Sequence, residues 1–349
     1  MKRIVICADG TWNRPEIEIS KDFPTNVLKL ARAIKPVATG KINQQVFYDW
    51  GIGSYHDQVI AGSTGKGLHK NILDDYRYIV QNYSPGDELF FFGFSRGAYT
   101  IRCLCGLINN CGIIKRPDAA LIQAAFNHYK KPGDAHAPEG QKSLEFREKY
   151  AHKSRQIKFV GVWDTVGAMG IPLSFLGLFN DKDEFYDTKI GKNISIARHA
   201  LAIDEHRSDF IPTVWIPQAK TDIKQVWFSG AHSNIGGSYK PDQDSSLLSD
   251  IPLAWMLKEA KNAGLSLENH ILQNIKPNSL ATLHNSRRTF YRVKKKFYRS
   301  LSQEEPGAQK VEVLIHHSVK ERWENNAKYR PQNLQEYLES YAWPSKLVT

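Results

Sequence analysis

Gly93-Phe94-Ser95-Arg96-Gly97 sets a serine between glycines two residues to either side. Small neighbours at that spacing let a strand and a helix approach around a strained turn, which pushes a hydroxyl out as a nucleophile. A serine hydroxyl reacts poorly at neutral pH unless an imidazole takes its proton and a carboxylate orients that imidazole. Two downstream positions offer such partners in the order acid, then histidine: Asp164 in Gly161-Val-Trp-Asp-Thr-Val-Gly167 and His232 in Ser229-Gly-Ala-His-Ser-Asn-Ile-Gly-Gly237. Each directly follows or closely trails a strand-like run. Of the twelve histidines, His199, His206, His284, His316 and His317 also lie downstream, but His232 alone joins a strand end to a glycine-bearing loop. His316, after a late strand, is the alternative base, and a helix cap is the alternative role for Asp164.

Attack on an acyl carbon creates an oxyanion that needs two backbone N–H groups. Arg96, following the nucleophile, supplies one. Gly10, in Asp9-Gly-Thr-Trp-Asn13 at the end of the first strand, is expected to supply the other, with Thr11 and Phe94 touching the substrate. Asp9 could instead ligate a metal, as in phosphatases that open with a strand and an aspartate, but Thr11 breaks the D-x-D spacing. No metal and no cofactor are expected. The stretch Gly51 to Gly67 lacks P-loop spacing, because Gly67 follows Lys66, and reads as an active-site rim.

These residues must be carried by alternating strands and helices. Arg3 to Ala8, Gln45 to Trp50, Glu88 to Gly93, Ile157 to Trp163 and Lys224 to Ser229 read as strands, with Val311 to Ile315 a late one. Helices are expected over Thr25 to Ile34, Leu68 to Tyr83, Ala98 to Ile108, Pro117 to Lys131, Ser143 to Ala151 and Pro331 to Tyr341. Glu88-Leu-Phe-Phe-Phe-Gly93 is apolar throughout, as central parallel strands buried on both faces are. The fold class is therefore α/β and α/β-hydrolase-like, a mostly parallel central sheet with helices on both faces and helical insertions. One domain spans 1–349, with insertions at about 112–155 and 168–222 and a C-terminal extension from about 269.

Apolar residues form 41% of the 349 and charged residues 24%, enough to build a core. The cysteines Cys7, Cys103, Cys105 and Cys111 lack zinc-site spacing and read as core residues in a reducing compartment. The N-terminus is too short in apolar residues for a signal peptide, and no run approaches bilayer-spanning length. Cytoplasmic synthesis is expected, and delivery elsewhere would need a non-Sec route. A net charge of +11 favours anionic partners, including peripheral contact with an anionic membrane. Nucleic acid is not the expected partner, although Arg287 to Arg299 interleaves cations with aromatics; a solvated strand face is the plainer reading.

Six blocks in order resemble the α/β-hydrolase domain family of formerly unknown function that includes type VI secretion phospholipase effectors. They are Asp9 to Asn13, Gly93 to Ala98, Gly161 to Gly167, Ala200 to Arg207 with Phe210 and Pro212, Ser229 to His232 with Gly236-Gly237, and His316 to Val319 with Arg322. The resemblance implies Ser95, Asp164 and His232 as the triad. Asn234 stands where the family usually carries Asp. A phospholipase acting through an acyl-serine is the leading function, with Ile171 to Phe179 as lid or acyl wall. A small-molecule esterase or thioesterase without a membrane role is one alternative, and a nucleic-acid-binding protein on a degenerate hydrolase scaffold is another.

Overall fold

The computed structural model describes residues 1–18, 21–51, 65–166, 190–218, 220–287, 289–302 and 312–349. Its centre is an eight-stranded sheet: β1 (Arg3–Ala8), β2 (Val37–Ala38), β3 (Ile42–Asp49), β4 (Glu88–Phe94), β5 (Ile157–Trp163), β6 (Ile194–Ala202), β7 (Asp222–Phe228) and β8 (Leu314–Ile315). The spatial order is β2-β3-β1-β4-β5-β6-β7-β8. Every pairing is parallel except that of β2 with β3.

Central strands bury side chains on both faces, which explains their unbroken apolar runs. On one face Ile4, Ile6, Leu89, Phe91, Val160 and Val162 meet α2 (Gly65–Asn82), α3 (Arg96–Cys111), α4 (Ala119–Tyr129) and α5 (Gln141–Tyr150). On the other, Val5, Cys7, Phe90, Phe92, Phe159 and Trp163 meet α1 (Asn26–Ala33), α7 (Asp250–Asn262) and α8 (Asn269–Gln273), with α6 (His232–Gly236) beside them. A smaller core joins β6–β8 to α9 (His317–Asn325) and α10 (Gln332–Tyr341). Phe90, Phe91 and Phe92 are wholly buried, each worth about 2–3 kcal/mol of transfer free energy. The four cysteines are buried and free.

β1 lies between β3 and β4, and helices α1 and α2 cover opposite faces, so the chain changes direction between β1 and β4. Open parallel sheets bind ligands outside the carboxyl ends of strands at such a switch point. Gly10 and Ser95 follow those two strands.

Two expectations change. β6 occupies part of the span 168–222 expected as an insertion. Its apolar pattern is broken by Arg198 and His199, which are tolerated inside because Arg198 pairs with Glu259 at 2.5 Å and Asp222 at 2.7 Å, and His199 accepts from the Thr165 N–H at 3.2 Å. The stretch Arg287 to Arg299 is no strand face: its described part contains a 3₁₀ turn at Thr289–Arg292 and then irregular chain. The glycine-rich rim from 52 to 64 and the apolar Ile171 to Phe179 lie outside the described residues.

Candidate active site

β4 runs into α3 through Ser95, whose φ of 57° and ψ of −121° are strained for an L-residue. The flanking glycines make the turn sterically feasible. A Cβ on Gly93 would lie 2.6 Å from the Gly97 carbonyl, and one on Gly97 would lie 2.1 Å from the Ala8 carbonyl of β1. The serine N–H is held by the Trp163 carbonyl at 3.1 Å, which ties the elbow to the end of β5. Arg96 opens α3, where first-turn N–H groups have no helical acceptor.

Asp164 directly follows β5 and is no helix cap; it too has a positive φ, 41°. Its N–H reaches the Ala200 carbonyl at 2.8 Å, and its Oδ1 accepts the Ala202 N–H at 3.0 Å, so the end of β6 aims the carboxylate. Oδ2 meets Nδ1 of His232 at 2.6 Å. His232 begins α6 just beyond β7, after a turn in which Gly230 has φ of 120°. The imidazole meets two aromatic rings, Phe94 tilted against it at 4.6 Å and Phe210 edge-on at 5.0 Å between centroids. Asp164 engages Nδ1, so Nε2 is the ring nitrogen on the side away from the carboxylate. Burial holds the His232 pKa below its ordinary value, opposed by the hydrogen bond and charge of Asp164. The ring is therefore neutral, the form a base requires, at neutral pH.

Composition and spacing gave no sign of the group that grips the acid from the other side. Arg299, 1% exposed, places Nη1 2.6 Å from Asp164 Oδ1 and Nη2 3.0 Å from Oδ2. It also donates to the Ala202 carbonyl at 3.0 Å and the Phe210 carbonyl at 2.6 Å. Burial alone would push the Asp164 carboxyl up; the Arg299 charge and the His232 hydrogen bond outweigh it and hold the carboxyl well below the usual range.

Glu205, fully buried, accepts from Arg207 at 2.8 Å and from the Ser286 hydroxyl at 2.9 Å, and its Oε2 receives the His232 N–H at 3.2 Å. Burial would raise its carboxyl, yet Arg207 and more distant cations bring it to about 2. This ion pair anchors the histidine's backbone. Asn234 is buried and spans two segments: Oδ1 accepts the Ala231 and His284 N–H groups, and Nδ2 lies 3.2 Å from the Thr282 carbonyl. His316 caps α9 through Ser318 and stacks on Phe228, and His199 sits within β6, so both are occupied structurally.

On the oxyanion side, the Gly10 N–H donates to Asp9 Oδ1 at 2.7 Å. Gly10 does border the nucleophile, since a Cβ there would lie 3.2 Å from that of Ser95. Asp9 Oδ2 accepts the Thr25 and Tyr48 hydroxyls, each at 2.6 Å, which ties the loop to α1 and β3. Burial raises its carboxyl to about 6 against these bonds. Thr11, next along, has a buried hydroxyl oxygen with no hydrogen-bond partner. Phe94 is 2% exposed and packs against His232 and Gly236. Among the described residues no group of three or more His, Cys, Asp or Glu side chains could hold a metal ion.

Sheet order, elbow and strand-end side chains define an α/β-hydrolase-like protein. Residues 2–259 match the family described as type VI secretion system phospholipase effector Tle1-like, catalytic domain, and the chain belongs to that family. The uncharacterized protein YEL023C of Saccharomyces cerevisiae is 27% identical over 239 residues, 62% of this chain and 33% of the yeast protein, so the chain spans about a third of that relative. Two solved structures are similar, each with a TM-score of 0.48. One is an uncharacterized protein from Pseudomonas aeruginosa, 15% identical, covering 79% of this chain and 49% of that one. The other is the Tle1 effector bound to the VgrG spike, 16% identical, covering 80% and 76%.

Proposed function

We propose that the chain is a serine ester hydrolase that cleaves phospholipids through Ser95, His232 and Asp164. The observation that carries this is the 2.6 Å bond between His232 Nδ1 and a buried Asp164 carboxylate, with the strained Ser95 elbow tied through its N–H to Trp163, the residue before Asp164. In this reading His232 Nε2 removes the Ser95 proton as Oγ attacks the ester carbonyl carbon. The oxyanion accepts the Arg96 N–H and, in place of Gly10, Thr11 through its N–H and hydroxyl. Collapse breaks the acyl–oxygen bond, His232 returns the proton to the departing alcohol, and the acyl group remains on Ser95. Water, deprotonated by His232, then attacks the acyl-serine and releases the fatty acid. Asp164 stays ionised and stabilises each imidazolium. The family supports a lipid substrate.

Mixed micelles of phosphatidylcholine or phosphatidylglycerol provide the test. Release of fatty acid and lysophospholipid by the wild-type chain, absent in Ser95→Ala, is the expected result. Hydrolysis of short soluble esters with phospholipid untouched would replace the proposal with a small-molecule esterase.

A further inference from the structure

Three large apolar side chains stand in solvent on segments that hold the site: Trp12 is 63% exposed, Ile211 55% and Val293 81%. Exposing aliphatic and indole surface costs solvation free energy, and exposed apolar groups rimmed by polar ones are found at contact surfaces. Their placement follows from the site's own contacts. Trp12 follows Thr11, and its ring lies 5.6 Å from the guanidinium of Arg96, the residue after Ser95. Ile211 follows Phe210, whose ring meets His232. Val293 lies two residues beyond Tyr291, whose ring meets Phe210 at 6.3 Å, and the next residue, Lys294, pairs with Asp209 at 2.8 Å. Each is therefore within two residues of, or itself makes, a ring contact that leads to Ser95 or His232.

Charge accompanies them. Seven of the thirteen residues 287–299 are Lys or Arg and none is acidic. Arg299 turns inward to Asp164, whereas Arg292, Lys295 and Lys296 are exposed around Val293. An aliphatic tip ringed by cations matches a bilayer surface, where apolar groups enter the acyl boundary and cations meet anionic headgroups. A nucleic acid would use the cations but has no need of Val293 and Ile211. We propose that Trp12, Ile211 and Val293, with Arg292, Lys295 and Lys296, form a docking face for anionic phospholipid bilayers that seats the mouth of the site on the lipid. The idea extends the hydrolytic reading of Ser95 and His232 and rests on it for its purpose, but not for its geometry.

The full chain carrying Ser95→Ala, which leaves lipid intact, is sedimented with vesicles of phosphatidylcholine alone or with ~30% phosphatidylglycerol. The anionic vesicles should bind it more strongly, and less so as salt rises from ~0.1 M to ~0.5 M. Ile211→Asp with Val293→Asp should weaken that binding by about tenfold or more. The same pair in the Ser95 chain should leave soluble-ester hydrolysis within about twofold, since neither side chain belongs to the reacting set. Unaltered vesicle binding by the double variant, equal binding to both vesicle types, or binding to duplex DNA without binding to vesicles overturns the docking face. Vesicle binding that depends on Ile211 and Val293 in a wild-type chain that hydrolyses no ester keeps the docking face and removes the hydrolytic reading.

Discussion

Replacing Arg299 by Met removes the cation that Asp164 holds at 2.6 and 3.0 Å while keeping most of the side-chain stem. An opposite charge at such range shifts a carboxylate by about 1–3 pKa units. Without it, Asp164 has His232 as its remaining side-chain partner. The imidazole should then protonate more easily, raising its pKa by about one unit, or ~1.4 kcal/mol. Because the neutral ring is the active form, the acid limb of kcat/KM should move about one pH unit alkaline, with activity about tenfold lower on that limb and near wild type well above it. Stability should also fall. The depressed Asp164 pKa stabilises the fold above the ordinary carboxylate value and loses that contribution as pH falls through the folded pKa. Breaking a buried pair costs about 3–5 kcal/mol, an upper figure here because His232 can respond by taking a proton. Arg299→Lys restores the charge but not the two-pronged geometry, so its limb should return towards wild type while its stability stays reduced. The assay is soluble-ester kcat/KM from about pH 5 to about pH 9, beside thermal unfolding followed by circular dichroism. An unmoved limb with activity lowered equally at every pH would refute the electrostatic argument and leave Arg299 a packing residue.

The elbow makes a sharper steric prediction: Gly97→Ala puts a methyl 2.1 Å from the Ala8 carbonyl, so unfolding should be eased by more than about 3 kcal/mol. Gly86→Ala, where nothing lies within 4 Å but φ is +96°, should cost only about 1–2 kcal/mol in the same denaturant titration. Asn234→Asp removes the donor facing the Thr282 carbonyl, so the melting temperature should drop by an amount equivalent to about 1–3 kcal/mol. That deficit should shrink in acid, where a protonated carboxyl can donate again, and a deficit independent of pH would contradict the donor argument.

Strand ends were legible because buried parallel strands leave runs such as Phe90-Phe91-Phe92, and the elbow glycines fix where β4 must stop. The pairing of His232 with Asp164 followed from those ends. Arg299 was hidden for the opposite reason. It closes a cation-rich stretch that looks solvated, and its partner is 135 residues away, so only tertiary packing distinguishes it from Lys295 or Lys296. The backbone of the Asp9 to Asn13 loop was not legible either: the Gly10 N–H bonds to Asp9 Oδ1, and Trp12 adopts φ of 61°, a conformation its residue type does not announce. β6 escaped notice because buried Arg198 and His199 interrupt its pattern, and their partners come from β7, α7 and the turn after β5.

Labelling with a fluorophosphonate probe tests the central claim most directly, since the reagent captures a serine hydroxyl only when a neighbouring base activates it. The wild-type chain should label covalently on Ser95, Ser95→Ala should not label, and His232→Ala should label at least about a hundredfold more slowly. Equal labelling of all three chains would contradict the account.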